Sequence, residues 1–385
     1  MNRISIIGAG IGGLTAALAL HDVGAHVTVY EQAKHLTDEG AGIQIAPNAS
    51  RILCHLGLRH VLAADAVAAS TSAYRHYRTG AVLKINDPSE SVRRTGFPYW
   101  RIHRADLQRA LVSALARRAP DALHLGWQVL AVETGSDNVS LVFSNGQRVT
   151  SDLVVAADGI RSTVRSMLFA RDTPHFEGYV AWRGLVPMAD LPERLRTMGG
   201  ASFGGGRFIV NYAVRRGELM NFVAIARHET WEEEGWRIPS RLAELQEAFT
   251  DFHDDVQELI GHTPPDRLFK WGIFGRPRLP SWVQGRASLL GDAAHPMLPY
   301  LAQGGAMAIE DAMLLARAVA NGDGHVSALQ RWETARMPRV NRVSDASAAM
   351  AAMFHTDVDA YDPSRDVSAG RLPDLATFDA LTAPI

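Results

Sequence analysis

A glycine-rich turn near the start of the chain has the spacing that could bind a phosphate group. The turn spans residues 8–13 and lies between a short apolar run and an alanine-rich segment. Gly8 permits the tight turn, Gly10 lets backbone N–H groups approach a pyrophosphate, and Gly13 lets a helix pack close to a sheet. A second β-like run ends on Glu31, which is placed to accept hydrogen bonds from a ribose. This order of strand, turn, helix, strand and acid predicts a dinucleotide-binding unit, and a ligand-free structural turn is the competing interpretation.

Two further turns carry a carboxylate at the end of an apolar run. Asp158-Gly159 follows the run 153–157, and Gly291-Asp292 follows the run 287–290. Buried parallel strands are apolar on both faces, and open α/β sheets bind ligands at the carboxyl ends of their strands. We therefore expect one long ligand to contact all three turns. The alternative role for either aspartate is to cap a helix or a turn.

The elements that must position these turns are predicted from hydrophobic periodicity. Helices are expected near residues 49–56, 306–320 and 326–354, and the segment 100–107 is expected to lead into a helix that runs to about residue 118; short strands are expected near 129–134, 139–143, 147–150 and 153–157. A hairpin is expected at 71–86, and antiparallel strands at 179–187, 207–214 and 219–226. The pattern therefore predicts an α/β fold in which an antiparallel sheet forms a wall over the nucleotide-binding unit. The last thirty residues look weakly structured, and no function is assigned to them.

Composition excludes several classes of function. The 385 residues include 39 Lys and Arg against 41 Asp and Glu, so no basic surface for nucleic acid is expected. The single cysteine, Cys54, excludes an internal disulfide and a cysteine-rich metal site, and no metal is expected. We find no apolar span long enough for a membrane helix and no leader segment. A soluble protein in a reducing cytoplasm is therefore expected, and a homodimer is left open.

Together the three turns resemble the group A flavin-dependent aromatic hydroxylases, the family of p-hydroxybenzoate hydroxylase and salicylate hydroxylase. The segments that carry the resemblance are GAGIGG, VVAADGIRS and LLGDAAHPMLPYLAQGGAMAIEDA. The resemblance implies a Rossmann-like FAD-binding domain with an inserted antiparallel β-sheet substrate domain and C-terminal helices. The implied ranges are 1–70, 98–175 and 272–345 for the FAD-binding domain, 71–97 and 176–271 for the substrate domain, and 346–385 for a C-terminal helix and tail.

The same resemblance implies the residues that hold FAD. They are Gly8, Gly10, Gly12, Gly13, Glu31, Gln32, Gly42, Ile43, Arg104, Val129, Asp158, Asp292, Gly304, Gly305 and Ala306. The glycines before Ala306 would direct the N-terminus of the following helix at the flavin pyrimidine ring. A helix N-terminus stabilises the negative charge of a reduced flavin near N1 and O2. No second G-x-G-x-x-G motif occurs, which fits NADH or NADPH as a transient co-substrate.

The implied reaction needs an electron-rich aromatic ring. A nicotinamide reduces FAD, and the reduced flavin traps dioxygen as a C4a-hydroperoxide that the ring attacks. Because deprotonation activates a phenol, a base near its hydroxyl would be useful, and the candidates are Tyr212, Tyr300 and His295. Tyr212 could instead only pack, and His295 could be a loop residue bonded to backbone. Pro296 corresponds to the family's proline near the reacting oxygen.

The expected substrate is a small phenolic or heteroaromatic acid of the salicylate, hydroxybenzoate or 6-hydroxynicotinate type. The residues expected to contact it are Gln44, Arg183, Tyr212, Pro299 and Tyr300. Arg183 could bind a carboxylate, or it could form only a surface salt bridge. Gln44 and Tyr300 stand where the 6-hydroxynicotinate branch would have histidines, so the ring remains open, as does loss of the carboxylate. An FAD oxidoreductase that inserts no oxygen and a non-catalytic FAD-binding redox sensor are the alternative functions.

Overall fold

The structure is a computed structural model that describes residues 2–38, 40–231, 235, 237–322, 324–354 and 375–385. The strands, in chain order, are β1 (Arg3–Ile7), β2 (His26–Glu31), β3 (Gly42–Ile45), β4 (Val67–Ala68), β5 (Ser72–His76), β6 (Val82–Asn86), β7 (Trp100–His103), β8 (Leu123–Leu125), β9 (Val129–Thr134), β10 (Val139–Phe143), β11 (Arg148–Ser151), β12 (Leu153–Ala156), β13 (His175–Pro187), β14 (Gly200–Gly204), β15 (Arg207–Val214), β16 (Leu219–Arg227), β17 (Ile238–Pro239), β18 (Leu268–Gly275), β19 (Val283–Gln284) and β20 (Ala287–Leu289). The α-helices are α1 (Ile11–Asp22), α2 (Pro47–His55), α3 (Arg59–Asp65), α4 (Ser89–Thr95), α5 (Arg104–Arg118), α6 (Thr163–Leu168), α7 (Glu193–Arg196), α8 (Leu242–Ala248), α9 (Asp254–Gly261), α10 (Gly304–Ala320) and α11 (His325–Phe354).

The nucleotide-binding unit is built on a six-stranded sheet in the order β19-β20-β12-β1-β2-β8. Its strands are parallel except for β19. The central strands β1 and β12 are apolar on both faces because helices or further sheet cover each side, and all of β12 is buried. The three predicted turns follow β1, β12 and β20, so all three lie at the same edge of this sheet, as the sequence predicts.

An eight-stranded sheet forms the wall, in the order β17-β18-β13-β16-β15-β14-β5-β6. It is antiparallel apart from the pairing of β14 with β5. One face carries Trp182 and packs against Phe249, just after α8, with 6.3 Å between the ring centroids. The other face carries Tyr212, which is paired with Asn221 in the neighbouring strand, and Arg183 in the strand after that. Side chains alternate along a strand, so this second face is the one that can meet a ligand.

Two small sheets complete the architecture. The order β11-β10-β9 is the meander expected at 129–150, and the order β3-β7-β4 was not predicted. In the second of these, Gln44 pairs with Arg101 and Gly42 with His103, while on the opposite face Ile43 pairs with Ile102 and Ile45 with Trp100. The apolar face of this sheet joins the main core, and its polar face is turned towards the wall.

Most of the predicted elements are confirmed, and two elements run across limits of the predicted domain ranges. The strands 129–134, 139–143 and 207–214 begin and end where the sequence predicts. Strand β18 crosses the expected boundary at 271/272, and α11 runs without a break across 345/346. The hairpin β5–β6 joins the wall sheet, as the domain assignment requires. The exact domain ranges stay a prediction.

The end of the chain is better packed than expected. Residues 375–385 contain turns and neither helix nor strand, yet Asp379 forms an ion pair with Arg51 at 2.7 Å. The guanidinium of Arg317 donates to the carbonyl oxygens of Ala380 and Ala383, both at 2.8 Å. This terminal segment therefore docks on α2 and α10, and the prediction of weak structure is wrong for it. The rest of the predicted weak segment, 356–374, lies outside the described residues.

Candidate active site

The glycine turn opens onto a cavity of about 410 Å³ at the edge of the six-stranded sheet. The glycine turn, the end of β2, the N-terminus of α5, the start of β9 and the turn after β12 line it. Those that the sequence analysis named are Gly8, Gly10, Glu31, Gln32, Arg104, Val129 and Asp158. The structure therefore brings together, around one cavity, residues that are up to 150 positions apart in the chain (8 to 158).

The glycines of the turn serve different purposes. Gly8 has φ +103°, and a Cβ there would lie 2.5 Å from the carbonyl oxygen of Ala157. A Cβ on Gly13 would lie 2.1 Å from the carbonyl oxygen of Gly8, because α1 packs directly on β1. Around Gly10, by contrast, no protein atom lies within 4 Å of a Cβ position. The fold itself requires Gly8 and Gly13, whereas the space at Gly10 is left for a ligand.

Both carboxylates of the cavity are tied to backbone. Glu31 accepts hydrogen bonds from the N–H groups of Ala9 and Ala33, both at 2.8 Å, and so links β2 to the glycine turn. Oδ2 of Asp158 accepts from Thr163 at 2.8 Å and caps the N-terminus of α6. Its Oδ1 is buried and has no partner among the described residues. Burial raises the pKa of Asp158 above its ordinary value, although its hydrogen bonds oppose the shift.

The Gly291-Asp292 turn meets the start of α10. A Cβ on Gly304 would lie 3.8 Å from Oδ1 of Asp292, and a Cβ on Gly305 would lie 2.8 Å from Cδ1 of Ile43. Asp292 is exposed to solvent, but protein atoms also crowd its carboxyl group. The resulting loss of hydration raises the pKa of that carboxyl. Asp292, the N-terminus of α10 and strand β3 thus form a second group of the predicted cofactor residues, which also includes Gly42 and the buried Ala306.

A buried ionic network holds the Gly291-Asp292 turn from behind. Asp311, which is fully buried, accepts hydrogen bonds from the N–H of Gly291 at 3.1 Å, from Nε2 of His295 at 2.6 Å and from Nε of Arg336 at 2.7 Å. Arg336 also donates to Glu310 at 2.8 Å. The charges of His295 and Arg336 hold the pKa of Asp311 below its ordinary value even though burial opposes this. Sequence reasoning missed this network, because it depends on how α10 and α11 pack.

His295 is part of that network. Its ring lies 4.8 Å from that of Trp282 and hydrogen bonds to Asp311, and its Nδ1 is buried without a partner among the described residues. His295 thus contacts Asp311, which holds the Gly291-Asp292 turn, and none of the described contacts of His295 is with the wall. Gly12 lies in the same region, where a Cβ would approach Leu290 to 2.9 Å.

On the wall, Tyr212 contacts the glycine-punctuated strand β3. A Cβ on Gly42 would lie 2.5 Å from the Tyr212 ring, and the Gly42 N–H donates to Oδ1 of Asn221 at 2.8 Å. Burial raises the pKa of the Tyr212 hydroxyl well above its ordinary value, so this group is a neutral hydrogen-bond donor at neutral pH. Arg183 lies over Trp271, 4.6 Å from the ring centroid, and burial lowers its pKa to about 10.

Arg101 is the residue of this site that the sequence analysis did not single out. Its guanidinium lies 5.8 Å from the centroid of the Tyr212 ring, and its strand partner is Gln44. Gln44 in turn accepts a hydrogen bond from the Tyr99 hydroxyl at 3.1 Å. The sequence signal that could have identified Arg101 is the alternation of apolar and polar residues from Trp100 to His103. In a strand, this alternation directs Arg101 and His103 to the polar face.

The loop before α10 separates the other candidates. Tyr300 is buried, and its ring lies 5.9 Å from Phe208 and 6.2 Å from Phe354 in the aromatic core of the wall. Burial raises the pKa of its hydroxyl. Pro296 is partly buried beside His295, whereas Pro299 is exposed. The structure thus places Tyr212, Gln44 and Arg183 around the interface between the wall and the nucleotide-binding unit, which we also call the cofactor unit. Tyr300 packs among aromatic side chains beside this interface.

An ionic cluster joins the two units near this interface. Arg215, in the turn after β15, donates to Asp38 at 2.8 Å and to Asp106 at 3.2 Å. Arg109 pairs with the same two carboxylates. With His103 these carboxylates have the geometry of a metal site. The two guanidiniums already neutralise the carboxylates, so we interpret the group as an ion-pair cluster.

The features of the cavity fit FAD. The open space at Gly10, the cavity volume and the unpartnered oxygen of Asp158 suit one end of a long polar ligand, and the exposed carboxylate of Asp292, at the same edge of the sheet, suits the other; these two groups are together called the cradle. The helix N-terminus at Gly304 supplies a partial positive charge at one end. Such a fold and site define the class of flavoproteins that bind FAD across the edge of a parallel sheet.

Comparisons with known proteins agree with this class. A family model described as "FAD binding domain" matches residues 2–347. The chain is 40% identical over 380 residues to 3-amino-4-hydroxybenzoate 2-monooxygenase PtnB3 of Streptomyces platensis, with 97% of this chain and 94% of that protein covered. It is 34% identical over 375 residues to 3-hydroxybenzoate 6-hydroxylase 1 of Aquipseudomonas alcaligenes, with 97% and 94% covered. The structure of Klebsiella pneumoniae HpxO complexed with FAD and uric acid superposes with a TM-score of 0.84 at 27% identity, covering 98% of this chain and 93% of that one.

The chain belongs to the FAD-binding-domain family of these comparisons and is an FAD-dependent aromatic monooxygenase. The cofactor is FAD, and NADH or NADPH is the reductant typical of such enzymes. The resemblance stated from the sequence, its fold and its reaction class are confirmed. Within the described residues, no helix has the length and apolar character needed to span a membrane.

Proposed function

We propose that this enzyme hydroxylates a small hydroxybenzoate, and that Arg183 binds the carboxylate of that substrate. The observation that carries the proposal is the guanidinium of Arg183 on the wall. Its Nε is buried and has no partner in the described part of the chain, and the side chain lies beside Tyr212. A partly buried cation whose Nε has no partner among the described residues is costly, so a carboxylate ligand would relieve the cost. The relatives that act on 3-amino-4-hydroxybenzoate and 3-hydroxybenzoate support this substrate class.

We further propose that FAD is held by the two groups of residues around the cradle. Gly8, Gly10, Gly12, Gly13, Glu31, Gln32, Val129 and Asp158 would bind its adenosine and pyrophosphate half, and Gly42, Ile43, Arg104, Asp292, Gly304, Gly305 and Ala306 its flavin half. The chemistry that FAD supplies when bound is acceptance of hydride from a nicotinamide and activation of dioxygen for oxygen transfer. The N-terminus of α10 would stabilise negative charge on the flavin pyrimidine ring.

The remaining candidates divide into contact and positioning roles. Tyr212 and Gln44 would donate hydrogen bonds to the ring substituents, since the raised pKa of Tyr212 keeps it protonated. Tyr300, Pro296 and Pro299 would shape the pocket and exclude water, and His295 would fix the Gly291-Asp292 turn through Asp311. None of the three candidates is therefore proposed as the base. Burial raises the pKa of the Tyr212 and Tyr300 hydroxyls, and His295 is hydrogen-bonded to Asp311.

A panel of aromatic acids tests the proposal. NAD(P)H oxidation by the holoenzyme should be stimulated by 3-amino-4-hydroxybenzoate or another hydroxybenzoate, and one atom of labelled dioxygen should enter the product. Replacing Arg183 by Gln should raise KM for the acid far more than for its methyl ester. A panel in which no hydroxybenzoate accelerates NAD(P)H oxidation would overturn the proposed substrate class.

We also propose a cytoplasmic protein that has no nucleic-acid partner and no membrane attachment, with a homodimer as the assembly to test. The nearly balanced charge and the single cysteine support the first part. Light scattering on the purified holoenzyme measures the assembly directly. A monomeric mass across the working concentration range would exclude the dimer.

A further inference from the structure

The terminal segment, residues 375–385, covers a buried cation on α11. This cation is Arg339, whose side chain is only 3% exposed. Its guanidinium lies 3.8 Å from the ring centroid of Phe378 and donates a hydrogen bond to the carbonyl oxygen of Leu375 at 3.2 Å. A guanidinium over an aromatic ring is attracted to it, and the ring keeps water away from the charge. The proposed function gives this contact no role.

The same guanidinium forms a two-bond ion pair with Glu310, a fully buried residue of α10. Nε of Arg339 donates to one carboxylate oxygen of Glu310 at 2.8 Å, and a terminal nitrogen donates to the other oxygen at 2.9 Å. A planar guanidinium matches a carboxylate in this way and so fixes its plane. Arg336 donates to the Glu310 carboxylate as well, at 2.8 Å.

Glu310 connects this ion pair to the start of α10. Its Oε1 accepts a further hydrogen bond from Nδ2 of Asn48 at 2.8 Å, and the same Nδ2 donates to Oε1 of Gln303 at 3.1 Å. Asn48 is fully buried in the first turn of α2, shortly after β3, and Gln303 is the N-cap residue of α10. The orientation of the Glu310 carboxylate therefore affects how α2 and the N-terminus of α10 lie against each other.

Resting on the proposed placement of FAD, we propose that Arg339 is a positioning residue that couples docking of the terminal segment to the flavin end of the cofactor site. The elements that Asn48 joins carry proposed flavin contacts, such as Ile43 on β3 and Gly305 on α10. With the segment docked, the pair of Arg339 and Glu310 is shielded from water, and its attraction is strong. With the segment undocked, water weakens the pair, and the contact between α2 and α10 loosens. The last residues of the chain thus favour the arrangement that receives the flavin.

Coupling of this kind is reciprocal, so the wild type alone can test it. If docking of the terminal segment strengthens FAD binding, FAD binding must strengthen docking by the same factor. Amide hydrogen exchange, followed by mass spectrometry in the apoprotein and the holoenzyme, measures the docking. FAD should slow exchange in residues 375–385 by about fivefold or more. The hairpin β5–β6, at the edge of the wall sheet, is the internal control and should change far less.

Variants separate the coupling from simple packing. Phe378→Ala removes the ring from Arg339 and should raise the Kd for FAD about fivefold or more. In an Arg339→Met background, where the link is already broken, the same change should have little further effect. Arg339→Lys keeps a cation beside Glu310 but not the planar fork, so it should be more stable than Arg339→Met and still lose the response of the segment to FAD. Phe269→Ala is the matched control, because it removes a ring 4.1 Å from the guanidinium of Arg237 in the wall, and it should leave the Kd for FAD unchanged.

The outcomes distinguish this inference from the proposed function, because no aromatic acid takes part in the experiment. If Asp292→Ala does not weaken FAD binding, the proposed placement of the flavin fails. If Asp292→Ala weakens FAD binding but exchange in residues 375–385 is the same with and without FAD, only the role of Arg339 is overturned. Equal losses of FAD affinity from Phe378→Ala in the wild-type and Arg339→Met backgrounds would show that the segment acts by packing alone.

Discussion

Removal of the Arg336 guanidinium should destabilise the protein strongly. Arg336 is fully buried on α11 and donates to Asp311 at 2.7 Å, to Glu310 at 2.8 Å and to the carbonyl oxygen of Met307 at 3.3 Å. In Arg336→Met, the Asp311 carboxylate keeps only its hydrogen bonds from Gly291 and His295. The carboxylates of Glu310 and Asp311 lose one of the cations that neutralise them. Breaking one side of a buried ion pair costs about 3–5 kcal/mol, because the remaining charge stays out of water.

An exposed ion pair on the same helix gives the matched control. Arg278 pairs with Asp345 of α11, and these side chains are 52% and 62% exposed. Since exposed pairs contribute about 0–1 kcal/mol, Arg278→Met should change the free energy of unfolding by no more than that. Both variants remove one guanidinium and add one thioether, so their net charges are equal.

Urea unfolding measures the difference. Midpoints and slopes are compared for apoprotein and for protein with a fixed excess of FAD, because cofactor binding raises apparent stability. Arg336→Met should lower the midpoint in both forms, and Arg336→Lys should fall between it and the wild type. A loss in Arg336→Met as small as that in Arg278→Met would refute the account of the buried network.

Three further predictions follow from the site. Gly10→Ala should leave the unfolding midpoint of the apoprotein unchanged, because Gly10 has φ −73° and free space at its Cβ position. The same variant should raise the Kd for FAD about tenfold or more. Gly13→Ala should instead lower the unfolding midpoint, because its Cβ would collide with backbone. Flavin fluorescence titration and thermal melts give the two readouts, and equal effects in both variants would contradict the ligand role of Gly10. Asp311 has a folded-state pKa below its unfolded value of about 3.9, so the stability it contributes is present above that value and is lost as the pH falls through the folded pKa. Asp311→Asn should therefore be less stable than the wild type at pH 7 and lose less stability between pH 5 and 3 in urea melts; parallel curves would disprove this. Arg215→Ala should loosen the contact between wall and cofactor unit, because Asp38 loses its hydrogen bond from Arg215. The expected result is that a larger share of the NAD(P)H is oxidised without hydroxylated product. Added salt should change that share less in the variant than in the wild type. An unchanged share would mean that the ion pairs play no part in coupling.

Local residue types determined much of the fold and part of the site. The strand–turn–helix order around Gly8 is visible in the sequence because β sterics, glycine conformations and helix packing act within about thirty residues. The positions of Asp158 and Asp292 at strand ends are local as well, since a buried strand is an uninterrupted apolar run. The alternation in β15 correctly places Tyr212 on one face with Phe208.

Tertiary structure alone decided which distant charges meet. Nothing near Asp311 in the chain indicates that Arg336, twenty-five residues later, will neutralise it, because that depends on how α10 packs on α11. The same is true of Arg101, whose partner strand comes from residues 42–45 and whose neighbour Tyr212 comes from another sheet. Local patterns fix the face on which a side chain lies, whereas its partner and the burial of its charge depend on long-range packing. The sequence by itself therefore determined that this protein has an FAD cradle and an antiparallel wall, and the folded chain decided which cations are left unpaired between them.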